Sequence, residues 1–236
     1  MAAGNSLIRR AGAIGGIMHS VIGTSDILII LDGDLTSIVG AAMLRDELLG
    51  ASGCRGWAVI APGVGAAASL RRAAAIETAD AFGFSIALQQ RADESQNQVL
   101  IRSVEAARER GCGRISWPIH AGGVGVVDLD EAARLVHRAS LAARLVQLAS
   151  ADAAPITIRA DVVDLADEQV ADLVLDVDAP VRLAWWWDAV LVPRVLSDNV
   201  PTERTLDALA RLKLSQLRRW LPVLVDAGVD VASVSV

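Results

Sequence analysis

DILIILDGDLTS, residues 26–37, is the stretch on which the fold turns. Its first half, residues 26–31, is an unbroken apolar run, as a strand buried on both faces requires. Its second half leads into residues 36–49, where Ile38, Val39, Ala42, Met43 and Leu49 recur at helical steps. A buried strand that turns into a helix through a glycine-bearing loop is the building unit of a parallel sheet. Such a loop commonly holds a phosphate, because free backbone N–H groups and a helix N-terminus face the same point. Gly33 and Ser37 suit that task, whereas Asp32 and Asp34 bring negative charge to it.

The alternation continues outward from there. WAVIA (57–61), SIALQQ (85–90), RISWPI (114–119) and PITIRA (155–160) read as further strands. Helices are expected over 66–82, 94–111, 128–150 and 166–177. Glu94 is expected in a helical first turn, and Arg108 and Arg110 in the last, where each complements the helix dipole. VRLAWWW (181–187) reads as a short strand, and 202–226 as a closing helix that Pro222 bends or ends. The predicted fold is α/β: a doubly wound, mostly parallel five-stranded sheet with a helical C-terminal segment. Residues 1–25 read as an N-terminal extension and 26–236 as a single domain. Ligands in such folds bind beyond the C-terminal ends of the strands. That directs attention to loops 32–37, 62–68, 120–127 and 161–166.

Composition narrows the function classes. The chain of 236 residues is 53% hydrophobic, enough for a large core without disulfides. No apolar run reaches the roughly 18 residues of a membrane span, so no membrane association is expected. The net charge of −6 argues against a broad nucleic-acid-binding face. Arg9 and Arg10 before AGAIGGIMHSVIG faintly resemble a secretory signal, but three glycines and a histidine interrupt the apolar part, and a cytoplasmic location is expected. Cys54 and Cys112 are too few for a disulfide framework or a four-cysteine zinc site, and each reads as a small turn or core residue.

The order of these segments resembles the PP-loop ATP pyrophosphatases, and within them the 7-cyano-7-deazaguanine synthases of queuosine biosynthesis. The resemblance spans about residues 26–230. The family's first loop has the form SGGxDS. Here Asp32 takes the serine position, Gly33 and Asp34 the glycines, Thr36 the aspartate and Ser37 the last serine. VGAAA (64–68) stands where the family tends to show YGQxH. AIETADAFG, RISWPIHAGG and PITIRADVVDLADEQVADLVLDVDAPVRLAWWW follow the family's frame, and TLDALARLKLSQLRRWLPVLVDAGV resembles its closing helix. The resemblance implies an α/β fold of the adenine nucleotide hydrolase type and an ATP-dependent ligation that turns a carboxyl-bearing deazaguanine into its nitrile with ammonia. It also implies a zinc site of four cysteines. The first of these falls on Trp187, and 188–210 has neither cysteine nor histidine, so zinc is not expected.

Asp32, Gly33, Asp34 and Ser37 are the candidate cofactor-binding residues, as a degenerate phosphate loop. His120, after the fourth strand, is the candidate ligand contact. A carboxylate about 4 Å from a phosphate costs a few kcal/mol at an effective dielectric near 20. The plainer reading of Asp34 and Thr36 is helix capping, and of Asp-Gly-Asp an ordinary turn. The alternative is a reworked ATP site in which magnesium bridges carboxylate to phosphate. His137, within a long helix, reads as structural, and Asp161 and Asp164 as capping or solvated. No metal ligands and no catalytic residues are assigned. In a strand, adjacent Trp185, Trp186 and Trp187 alternate faces, so at least one is expected to point outward as a homo-oligomer or protein-partner contact, with core packing and base stacking as the alternatives. The expected protein is a degenerate 7-cyano-7-deazaguanine-synthase-like chain without ATP or zinc, acting by binding or scaffolding.

Overall fold

The computed structural model describes residues 26–51, 53–149, 154–188 and 208–231. The expected extension over 1–25, with His19, lies outside them.

Strand β1 (Ile27–Leu31) is buried throughout and forms the centre of the sheet. It is followed by α1 (Leu35–Gly50), β2 (Gly56–Ile60), α2 (Ala68–Ala81), β3 (Ser85–Gln89), α3 (Gln96–Glu109) and β4 (Arg114–Ser116). Next come a small hairpin of β5 (Gly122–Gly123) and β6 (Val126–Val127), then α4 (Leu129–Leu148), β7 (Thr157–Arg159) and α5 (Asp167–Asp176). A single 3-10 turn (Val181–Leu183) and helix α6 (Ala208–Ala227) complete the described elements.

The main sheet has five parallel strands in the order β3-β2-β1-β4-β7. Alternation along β1 explains the double layer. Leu28 and Ile30 pack on one face with Val99, Leu100, Val104 and Leu135 of α3 and α4. Ile27, Ile29 and Leu31 pack on the other with Ala41 and Leu44 of α1 and Ala75 and Ala79 of α2. The strand therefore lacks a polar face, because neither side meets water. Gly40 lets α1 lie close to the chain after β4: a β-carbon there would sit 2.7 Å from the Pro118 Cβ.

Several segments differ from their expected form. VRLAWWW is not a strand; Val181–Leu183 makes a 3-10 turn, and Trp185 and Trp186 enter a core with Leu217, Trp220 and Leu221 of α6. Trp186 is fully buried and Trp185 nearly so, with Trp187 half-buried, so none is a large exposed aromatic face. The alternation argument failed because its premise, extended backbone, does not hold here. Pro222 lies inside α6 without ending it. Glu94 precedes the α3 N-cap, Ser95, whose hydroxyl and Gln98 form a capping box. His137 lies within α4, as expected, on its exposed side.

Among the described residues no helix is long and apolar enough to cross a membrane.

Candidate functional site

The chain leaves β1, builds outward through β2 and β3, then returns to place β4 on the other side of β1. The crevice where the direction reverses is where ligands bind in open parallel sheets. The loop after β1 opens there. Gly33 has a positive φ of 84°, and a β-carbon on it would come 2.3 Å from the Arg71 carbonyl oxygen, so glycine is required on two counts.

The loop is closed on itself. Asp32 Oδ1 accepts the Asp34 N–H at 2.9 Å. Asp34 is the N-cap of α1, and its Oδ1 accepts the Leu35 N–H at 3.2 Å. The same oxygen accepts the Trp186 indole N–H at 2.7 Å. Its other oxygen lies 3.4 Å from the Arg71 guanidinium, which also covers the Trp185 ring at 5.1 Å. The Trp185 N–H donates to the Gly33 carbonyl at 2.9 Å, and the Ser37 hydroxyl donates to the Asp34 carbonyl at 2.8 Å. Burial, with the Asp34 carboxylate close by, pushes the Asp32 carboxyl above the usual carboxylate range against the opposing pull of Arg71.

Beside this loop lies a cavity of about 540 Å³, the volume of a small-molecule site. Asp32 and Ile30 reach it from β1 and its end, and Trp117, Pro118 and Ile119 from beyond β4. Gln90 and Glu94, both buried, come from the loop after β3. Gln90 accepts the Gly63 N–H at 2.8 Å and donates to the Glu94 carbonyl at 2.8 Å. Burial works to raise the Glu94 carboxyl, but the Arg102 guanidinium at 2.7 Å and the Arg91 N–H at 3.0 Å outweigh it and hold the group below its ordinary value. The arrangement is a mostly apolar chamber with a few fixed polar groups.

His120 does not join this cavity. Its Nε2 is 2.8 Å from the Leu165 carbonyl, and its Nδ1 is 3.3 Å from the Arg219 guanidinium. A guanidinium only donates, so the proton sits on Nε2. Burial lowers the His120 pKa, keeping the ring neutral. Arg219 also grips the fully buried Asp167 through two bonds, at 2.8 and 2.7 Å, and donates to the Gly122 carbonyl at 2.6 Å. This cluster ties α6 to α5 and to the β5–β6 hairpin. Both ring nitrogens of His120, the expected ligand contact, are engaged by the protein.

Of the expected site residues, Asp32, Gly33, Asp34 and Ser37 are together, and Asp32 lines the cavity. Sequence reasoning missed Arg71, Gln90, Glu94 and Trp117. Its survey of loops left out the one after β3, although QQRADES (89–95) is a polar run at a strand's C-terminal end. Asp161 pairs with Arg159 at 2.9 Å and lies away from this cavity. Among the described residues no group of three or more His, Cys, Asp or Glu side chains converges as a metal site would require.

Fold and crevice together define a doubly wound α/β protein with a small-molecule cavity at its switch point. No protein-family model matches the sequence. No curated protein matches it either. Among solved structures, the chain is similar to the U34-tRNA thiolase NcsA from Methanococcus maripaludis, solved with its 4Fe-4S cluster. The identity is 9%, the TM-score 0.45, and the overlap covers 86% of this chain and 71% of that one.

Proposed function

We propose that this chain is a PP-loop-type protein on a 7-cyano-7-deazaguanine-synthase-like frame whose phosphate loop has become a structural clamp, and that it acts by binding rather than by ATP-dependent ligation. One observation carries the reading: Asp34 Oδ1 takes both the first N–H of α1 and the Trp186 indole N–H at 2.7 Å. A carboxylate of the protein itself thus stands at the helix N-terminus where an anionic ligand would be held. Asp32 engages the preceding N–H, that of Asp34, in the same way. A triphosphate entering there would have to displace these bonds and face both carboxylates. The alanines of VGAAA and the missing cysteines after Trp187 point the same way. Since Trp185 and Trp186 are buried, the binding element we favour is the cavity at the switch point rather than a tryptophan surface.

Calorimetric titration with ATP, with and without magnesium, tests this. No heat of binding is expected at millimolar ATP. The second reading, a magnesium-assisted ATP site, draws on the position of Asp32 in the cavity wall. Magnesium-dependent ATP binding that disappears in Asp34→Ala would establish that reading and overturn ours, as would adenylation of any carboxylate substrate.

A further inference from the structure

We infer that the cavity at the switch point takes a small organic cation, a flat apolar body carrying one amidinium or ammonium group, with Asp32 as its counter-charge. The inference rests on the proposed function, because it needs the cavity free of ATP.

The walls are largely apolar: Ile30, Val99, Leu100, Trp117 and Ile119 surround the space. Most of its other polar groups have partners, and Asp93, another carboxylate of the lining, is exposed to solvent. Glu94 is neutralised by Arg102, and both ends of the Gln90 amide are engaged. Arg71, the guanidinium in the wall, lies against Asp34 at 3.4 Å and over the Trp185 ring at 5.1 Å. Asp32 differs from these. Its Oδ1 accepts the Asp34 N–H at 2.9 Å with the Ser37 hydroxyl close by, and a carboxylate has room for about four donors. Arg71 faces Asp34 and its charge also acts on Asp32, and Arg102 faces Glu94, so the lining carries three carboxylates, Asp32, Asp93 and Glu94, against one guanidinium, Arg71. An apolar chamber with that excess of negative charge favours a donor-bearing cation and disfavours an anion.

The raised Asp32 carboxyl supports this, since an arriving cation lowers it again and releases a proton. Affinity for a permanently charged ligand should therefore rise with pH as Asp32 ionises.

The test uses three isosteric probes on the full chain: benzamidine, benzamide and benzoate, measured by calorimetry and by saturation-transfer NMR. Benzamidine is expected to bind at least about tenfold more tightly than benzamide, with benzoate undetectable. Asp32→Asn keeps the oxygen that accepts the Asp34 N–H, so the loop should persist. It should bring benzamidine down to the level of benzamide and leave benzamide unchanged. Ala61→Leu narrows the wall without touching Asp32 and should weaken benzamidine and benzamide alike, as only binding inside the cavity would. Equal binding of all three probes, a preference for benzoate, a benzamidine preference that survives Asp32→Asn, or no benzamidine binding at tens of millimolar would each overturn the inference. ATP titration separates the two failures. If neither benzamidine nor ATP binds, this inference alone falls; if magnesium–ATP binds, the proposed function falls.

Discussion

Replacing Trp186 with Phe removes one N–H from a fully buried ring and keeps most of its bulk. In the native protein that N–H reaches Asp34 Oδ1 at 2.7 Å across a sequence separation of 152 residues. A hydrogen bond to a charged group contributes about 1.5–3 kcal/mol, and Asp34, part-buried beside Arg71, places this one near the lower end. The smaller ring adds a packing loss of about 1 kcal/mol. Trp186→Phe should therefore cost about 2.5–3 kcal/mol. For a chain of this size that lowers Tm by roughly 5–12 °C. Urea unfolding followed by far-UV circular dichroism measures the loss without relying on tryptophan fluorescence. Asp34→Asn retains an N-cap oxygen and removes the charge, so the Trp186→Phe/Asp34→Asn cycle isolates the pair. A coupling of about 1 kcal/mol or more is expected. Additive single effects, or a loss under about 1 kcal/mol for Trp186→Phe, would refute the view that this bond anchors the loop.

Gly33→Ala should destabilise by at least about 3 kcal/mol, since the left-handed φ of 84° costs about 1–2 and the clash with the Arg71 carbonyl adds to it; thermal unfolding checks this. Glu94 has a folded pKa below its ordinary 4.5, so its contribution is complete above that value and is lost as pH falls through the folded pKa. Glu94→Gln should accordingly cost about 1–3 kcal/mol at pH 7, and the gap between the two proteins should close in acid, read from paired urea titrations. Cys112 is buried, and desolvation with Asp26 nearby pushes its thiol up to about 11, whereas Cys54 is half-buried. An aromatic disulfide reagent at pH 8 should label Cys54 in the native protein and Cys112 only after unfolding.

The fold was legible because its signals are local and repeated. DILIIL had to be a strand covered on both sides, and the later helices carried an apolar stripe, whereas α1 is buried all round from Leu35 to Ala42 and exposes Leu49. Asp34 as an N-cap was legible for the same reason, since capping involves only neighbours in sequence. The tryptophans were not. Their conformation depends on α6 and on Asp34, which are distant in sequence, and three adjacent aromatic residues fit a strand or a packed turn equally well. The cavity was half legible. The switch-point rule pointed to the loop after β1, but Gln90 and Glu94 are recognised as wall residues only once Arg102, Gly63 and Arg91 are seen to hold them. His120 was placed by position alone: it stands at the ligand edge, and the Arg219–Asp167 pair beside it comes from two later helices that the local sequence does not reveal.

Exchanging Asp34 for glycine would not by itself rebuild a phosphate loop here. Asp34 caps α1, accepts the Trp186 indole and faces Arg71, so its removal leaves a helix N-terminus uncapped, a buried N–H unpaired and a guanidinium without its carboxylate. Asp32 would remain in the cavity wall, still raised by burial and still hostile to phosphate. The two aspartates therefore do different work despite lying two residues apart. Asp34 faces the C-terminal part of the chain and holds it down. Asp32 faces the cavity with acceptor capacity to spare. Desolvation and the Asp34 charge make ionisation of Asp32 unfavourable where it stands in the chamber wall, and a group of opposite charge entering the chamber would relieve that cost.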